Sequence, residues 1–155
     1  MWIEKKEKKF YINSAKANGL RIFYGDISEE TITNIKRFIA DIRKRYYFPI
    51  RCNIYFSNDT YYISNKDGHK FYGVFYDEMD CKKFTYPKIF VAANERKENP
   101  IVDIFFTLLH ELTHYYQWYF KEDDHRTNRS LEIEANKWAG YLLHEWLSDK
   151  NDLKS

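Results

Sequence analysis

The chain contains three stretches in which hydrophobic residues recur at helical spacing. The first begins at Ser28, whose hydroxyl can cap a helix, and ends before Pro49. Its apolar stripe consists of Ile32, Ile35, Phe38, Ile39 and Ile42. The second follows Pro100, a residue suited to a first helical turn, and stays apolar almost all round as far as Phe120. The third covers residues 131–147, so the pattern predicts three helices.

Between the first and second predicted helices lie three apolar or alternating runs. They cover residues 50–56, 70–76 and 88–94, and polar stretches with Asn, Asp, Gly and Pro separate them. Such runs are typical of β-strands. Residues 20–24 are a shorter candidate strand. The order of a helix, a small sheet of three to four strands and two further helices predicts an α+β fold.

The length of 155 residues fits one domain. We place this domain at residues 20–148 and expect a charged tail at residues 149–155. Residues 1–19 form a separate N-terminal segment in this division, and the segment is a candidate for a flexible lid over the active-site cleft.

Composition narrows the possible partners. Hydrophobic residues make up 44% and charged residues 31% of the chain, which is typical of a globular protein. A net charge of only +2 argues against nucleic acid, although the 19% aromatic content would allow stacking on bases. No apolar run suggests a signal peptide or a membrane span, and Cys52 and Cys81 are too few for a disulfide framework. We therefore expect a cytoplasmic protein without a membrane partner.

The second predicted helix carries the pattern H-E-x-x-H in the stretch HELTHYYQW. His110 and His114 lie one helical turn apart on one face, so two imidazoles can bind one ion. Glu111 lies beside them, where it can take a proton from water at the metal. The pattern predicts a zinc site with Glu111 as its general base.

A catalytic zinc site needs a third protein ligand, and the last predicted helix offers one. Glu132 lies on the same stripe as Ala135 and Ala139, whose small side chains would let the carboxylate approach the facing helix. Asn136, one turn later, could orient a zinc-bound imidazole. Glu134 points about 160° away from Asn136 on a helical wheel and is expected to face solvent or to be paired.

His125 is the rival third ligand, in the polar segment after the second helix. It would make the chain resemble the SprT-like proteases, but Arg126 and Thr127 follow it where that family has Gly and an aromatic residue. The metzincin pattern is excluded because Gln117 and Phe120 stand where it needs Gly and His. The two remaining histidines are expected at the surface: His69 and His144.

The combination of HELTH at 110–114 with E-x-x-A-N-x-x-A at 132–139 resembles the gluzincin metallopeptidases, and most closely the ImmA/IrrE family. FYGVF around Gly73 and the run IFVAAN extend the likeness over roughly residues 71–143. The resemblance implies a zincin-like fold and a zinc ion bound by the two histidines and Glu132. It also implies cleavage of a partner repressor. The minimal single-domain gluzincins, with the same sheet and helices, are a close second.

These observations predict a zinc-dependent metalloendopeptidase that acts on a protein or peptide. The predicted strand at residues 88–94 would be the sheet edge that pairs with the substrate. Tyr115, Tyr116 and Tyr141 are near enough in sequence to be considered as oxyanion donors, although core or rim positions are favoured. The alternative is a zinc-binding regulatory or adaptor domain with negligible cleavage, and the oligomeric state stays open.

Overall fold

A computed structural model describes residues 1–11, 18–80, 82, 83 and 85–154 of the chain. It is mixed α/β, with three α-helices and a small sheet among the described residues, as an α+β fold requires. The strands are β1 (Leu20–Tyr24), β2 (Cys52–Ser57), β3 (Tyr62–Ile63), β4 (Lys70–Phe71), β5 (Gly73–Tyr76) and β6 (Lys88–Ala92). The helices are α1 (Glu29–Arg45), α2 (Ile101–Tyr119) and α3 (Asn128–Lys154), and short 3₁₀ turns cover Lys5–Phe10 and Glu122–Asp124.

The main sheet has the strand order β1-β2-β6-β5. The first three strands run parallel, and β5 is antiparallel to β6, with Gly73 opposite Val91. β6 is therefore an interior strand, so the expectation that residues 88–94 form the edge was wrong. The edge next to α2 is β5.

The predicted strand at residues 70–76 is divided in two. β4 pairs with β3 in a separate two-stranded sheet, in which Phe71 lies opposite Tyr62. β5 continues in the main sheet. At the break, the carbonyl of Tyr72 accepts a hydrogen bond of 2.9 Å from the N–H of Ala92. Adjacent residues of one run thus pair with different partners, which an alternating pattern alone does not reveal.

The capping signal in front of α1 is confirmed. The backbone N–H of Thr31 donates to the hydroxyl of Ser28 at 3.2 Å, which satisfies one of the free donors of the first turn. Basic residues in the last turn, Arg43 to Arg45, lie where the helix dipole favours positive charge. The buried face of α1 is formed by Thr31, Ile35, Phe38, Ile39 and Ile42.

The first residues of the chain are packed into the core. Trp2 and Ile3 are buried, and the indole N–H of Trp2 donates to the hydroxyl of Thr113 at 3.0 Å. The N–H of Tyr47 donates to the carbonyl of Ile3 at 2.8 Å. Trp2 and Ile3 are thus packed into the domain, while residues 12–17 of the predicted segment lie outside the described residues. The role of the segment as a lid stays a prediction.

The last helix is longer than its sequence pattern predicts. α3 begins at Asn128 and continues through residues 149–154 of the predicted tail. Its later turns pack against α1, because the indole N–H of Trp146 donates to Asp41 at 2.9 Å and Asp149 pairs with Arg45. No helix in the described part of the chain is long and apolar enough to cross a bilayer. Cys52 is buried, which raises the pKa of its thiol, and Cys81 lies outside the described residues.

Candidate metal centre

The H-E-x-x-H residues lie in the middle of α2, on the side that faces α3 and the edge strand β5. The opposite side of α2 is packed in the core through Leu108, Leu109, Leu112, Tyr115 and Tyr116. Burial of these side chains holds the helix in place without help from the polar face. The packed side thus sets the direction in which the histidines point.

Three side chains from two helices converge at one point. The Nε2 atoms of His110 and His114 lie 3.2 Å apart. The carboxylate of Glu132, on α3, lies 2.8 Å from Nε2 of His114 and 3.1 Å from Nε2 of His110. Ala135 and Ala139 are fully buried on the same helix, so α3 can approach α2 closely. Glu132 therefore lies next to the two histidines, as the sequence predicts.

The donor atoms of this group suit a cation. Two imidazole nitrogens and a carboxylate oxygen at these separations have lone pairs facing one another, unless a proton or a metal ion lies between them. Glu111 is also close, with its Oε1 atom 3.9 Å from Nε2 of His110. His110, Glu111 and His114 offer ligand atoms within 4.8 Å of one another, and this group could hold a metal ion.

Glu111 is buried, with 6% of its surface exposed, although its neighbours do not neutralise it. Burial, and then repulsion by Glu132, raise the pKa of its carboxyl to about 8. The pKa of His110 is lowered, first by burial and then by the proximity of His114. Both shifts oppose the charged form of the side chain, and burial is the larger cause of each. A neutral imidazole keeps the lone pair that a metal ligand needs.

His114 has a hydrogen-bond partner that its sequence context did not identify. Its Nδ1 atom lies 2.7 Å from Oε1 of Gln117, whose side chain is buried. The amide nitrogen of Gln117 donates to Glu134 at 2.9 Å, and Glu134 accepts a second bond from Arg126 at 2.7 Å. Glu134 is therefore paired and connected to the site. The sequence signal for this contact was the position of Gln117, which lies about one helical turn after His114 on the same face of α2.

Nδ1 of His110 is in a different situation. It is buried and has no hydrogen-bond partner among the described residues. Asn136 is close enough to raise the pKa of His110 and lines the same cavity, although its side chain is exposed to solvent. The expected role of Asn136 in orienting an imidazole stays a prediction.

Two cavities open on either side of the converging residues. One, of about 500 Å³, is lined by β5, Trp118 and Leu131. The other, of about 660 Å³, is lined by Tyr72, Phe106 and Asn136. Glu111, Glu132 and Gly73 line both cavities, so they form one cleft with the candidate metal centre at its middle.

The remaining sequence candidates lie elsewhere. His125 is exposed and does not line either cavity, which leaves the rival third ligand without support from its position. Tyr115 and Tyr116 are fully buried in the core, and Tyr141 is exposed beside Trp138, so none of these three tyrosines lines the cleft. His144 and His69 are exposed as expected, although His69 lies at the rim of the larger cavity.

Comparison with known proteins identified no relative. No protein-family model matches the sequence. No curated protein sequence and no solved structure matches the chain at a significant level. The resemblance to the ImmA/IrrE family therefore stays a prediction that depends on the motifs alone.

Proposed function

We propose that this protein is a zinc-dependent metalloendopeptidase of the gluzincin type, with a zincin-like fold, in which His110, His114 and Glu132 hold the ion. The observation that carries the proposal is the position of Glu132. Its two carboxylate oxygens lie 2.8 and 3.1 Å from the Nε2 atoms of the two histidines, although it comes from a different helix.

The distances are compatible with a zinc ion. Zn–N bonds of about 2.0–2.1 Å in a tetrahedral site imply that the two nitrogens lie about 3.3 Å apart. The Nε2 atoms are 3.2 Å apart. Two histidines and one carboxylate are a typical ligand set of catalytic zinc, which keeps one position open. When bound, zinc would supply a Lewis acid that acidifies water and polarises a carbonyl group.

Glu111 would act as the general base. It lies beside the histidines, with its Oε1 atom 3.9 Å from Nε2 of His110, and its carboxyl group is buried at the bottom of the cleft. It would take a proton from the attacking water as the water oxygen bonds to the peptide carbonyl carbon. The same proton would then pass to the amine nitrogen as the C–N bond breaks.

The substrate would lie along β5, because this edge strand lines the cleft and leaves a row of backbone groups available for pairing. The acidic residues that line the cleft are Asp77, Glu98, Asp103, Glu111, Asp123 and Glu132. An extended peptide with basic side chains near the cleaved bond would complement this charge. The family resemblance makes a repressor or regulator the expected protein partner.

Metal analysis of purified variants tests the ligand set. Glu132→Ala should reduce zinc affinity by more than the 10–100-fold typical of residues that only support a ligand. His125→Ala is the matched control and should keep wild-type affinity, because His125 is exposed outside the cleft. Loss of zinc only in His125→Ala would reverse the assignment and favour the SprT-like alternative.

Glu111→Gln tests catalysis. Wild-type protein loaded with zinc is incubated with a mixture of unstructured peptides, and new termini are identified by mass spectrometry. Cleavage should appear with basic residues near the cut and should fall at least 100-fold in the variant, which keeps its zinc. Stoichiometric zinc without cleavage of the peptides or of any candidate repressor would favour the regulatory or adaptor alternative.

A further inference from the structure

The side chain of Gln117 uses all of its polar atoms in contacts around the candidate metal centre. It is 2% exposed. Its Oε1 atom lies 2.7 Å from Nδ1 of His114. Its amide nitrogen donates to the carbonyl of Leu131 and to the carboxylate of Glu134, each at 2.9 Å. A buried amide with this set of partners has only one satisfactory orientation.

The partners of the amide nitrogen determine where the proton of His114 lies. A carbonyl and a carboxylate only accept hydrogen bonds, so the NH₂ group of Gln117 must face Leu131 and Glu134. Its oxygen must then face His114, whose Nδ1 atom has to donate. Since neutral imidazole carries one proton, Nε2 keeps its lone pair. This is the tautomer that a metal ligand bound through Nε2 needs.

Glu134 is itself fixed by Arg126. The Nη1 atom of Arg126 donates to Glu134 at 2.7 Å and to Glu122 at 2.5 Å. Its Nη2 and Nε atoms donate to the hydroxyl of Ser130 at 2.8 and 3.1 Å. Arg126 thus joins the segment between α2 and α3 to the start of α3 and keeps the acceptor of Gln117 in place.

We propose that Gln117 is a positioning residue that selects the Nδ1–H tautomer of His114, and that Glu134 and Arg126 hold its amide in the required orientation. The inference rests on the proposed metal site and extends it to residues that lie outside the ligand set. Loss of a partner that orients a ligand typically weakens metal binding 10–100-fold.

The first measurement uses metal-free protein, so it does not depend on protease activity. Nitrogen chemical shifts of the imidazoles at neutral pH report which ring nitrogen carries the proton. In wild-type protein, Nδ1 of His114 should be protonated. In Gln117→Leu, the proton should move to Nε2, because the remaining acceptor is Glu132 at 2.8 Å. His110, which does not contact Gln117, serves as the internal control and should not change.

The second measurement is a rescue. In the double variant Gln117→Glu/Glu134→Gln, the new carboxylate at 117 can accept from Nδ1 of His114 and from the new amide at 134, although the carbonyl of Leu131 loses its donor. Zinc affinity should fall 10–100-fold in Gln117→Leu and recover in part in the double variant. Wild-type protein with its His114 proton on Nε2, or unchanged zinc affinity in Gln117→Leu, would overturn the proposal. If zinc binding and the tautomer behave as described but no peptide is cleaved, only the protease assignment fails.

Discussion

One face of α2 is packed in the core and the other forms the candidate metal centre, and both faces carry polar side chains. On the core face, the hydroxyl of Tyr115 donates to the carbonyl of Ile50 and accepts from its N–H. The hydroxyl of Thr113 donates to the carbonyl of Leu109 and accepts from Trp2. Each of these hydroxyls both donates and accepts, so burial costs little.

On the site face the amide of Gln117 is fully paired, but other polar groups are not. Glu111 is buried next to another carboxylate, and Nδ1 of His110 has no partner among the described residues. Nε2 of His114 faces an oxygen of Glu132 and Nε2 of His110. The comparison indicates that the core face stabilises the fold, whereas the unpaired groups of the site face reduce its stability.

The largest effect is expected from Glu111→Gln in metal-free protein. In the folded state the pKa of Glu111 is raised from 4.5 to about 8. Between these values the folded protein binds a proton that the unfolded chain does not, so stability falls as pH rises. The slope is at most about 1.4 kcal/mol per pH unit, or about 4 kcal/mol from pH 5 to pH 8. Urea denaturation across this range should show that the unfolding free energy of the variant does not fall in this way as the pH rises.

Two features make this test specific. The lowered pKa of His110 makes the unfolding free energy rise with pH below 6.5, opposite to the effect of Glu111. The unfolding free energy of the variant is therefore compared with that of wild type at each pH. Asp103→Asn is the matched control, because Asp103 is an exposed carboxylate on the same helix. A Glu111→Gln variant as pH-dependent as wild type would show that burial of Glu111 does not reduce stability.

On the core face, removal of a polar group should lower the unfolding free energy, whereas Glu111→Gln should raise it at high pH. Tyr115→Phe leaves both the N–H and the carbonyl of Ile50 buried without a partner, which should cost about 3 kcal/mol of unfolding free energy. Tyr116→Phe removes the bond to the carbonyl of Tyr47 and a weaker interaction with the backbone of Ile3, so it should cost less than Tyr115→Phe. Urea midpoints at one pH measure both. Equal effects of the two variants would contradict the assignment of two bonds to Tyr115.

The extent of α2 and the grouping of His110, Glu111 and His114 on it could be predicted from the sequence because they depend on local spacing. Two histidines four residues apart share a helical face in any α-helix, and the Ser28 cap and the apolar stripe of α1 are equally local signals. Glu132 was also predictable, because small residues at 135 and 139 show which side of α3 can approach another helix.

The features that could not be predicted depend on pairing between distant segments. The sequence of residues 70–76 does not show that Phe71 pairs with Tyr62 while Gly73 pairs with Val91. Because β5 pairs with β6, β6 becomes an interior strand. The contact between Gln117 and Glu134 likewise depends on how the segment from residue 121 to 127 turns. A helical wheel of α3 alone describes neither that turn nor the partner it brings to Glu134.

An effect smaller than those of the Glu111 and Tyr115 variants is expected where β5 packs against the site face. A Cβ atom at Gly73 would lie 2.5 Å from Cγ2 of Thr107 and 3.1 Å from Cγ of Glu111. Gly73→Ala should therefore cost about 2 kcal/mol of unfolding free energy through overpacking. Adding Thr107→Ala removes the nearest atom and should restore at least half of the loss, as urea denaturation can measure. If the double variant is no more stable than Gly73→Ala, the close contact with Glu111 is the main cost, and the site face is packed as rigidly there as the core face.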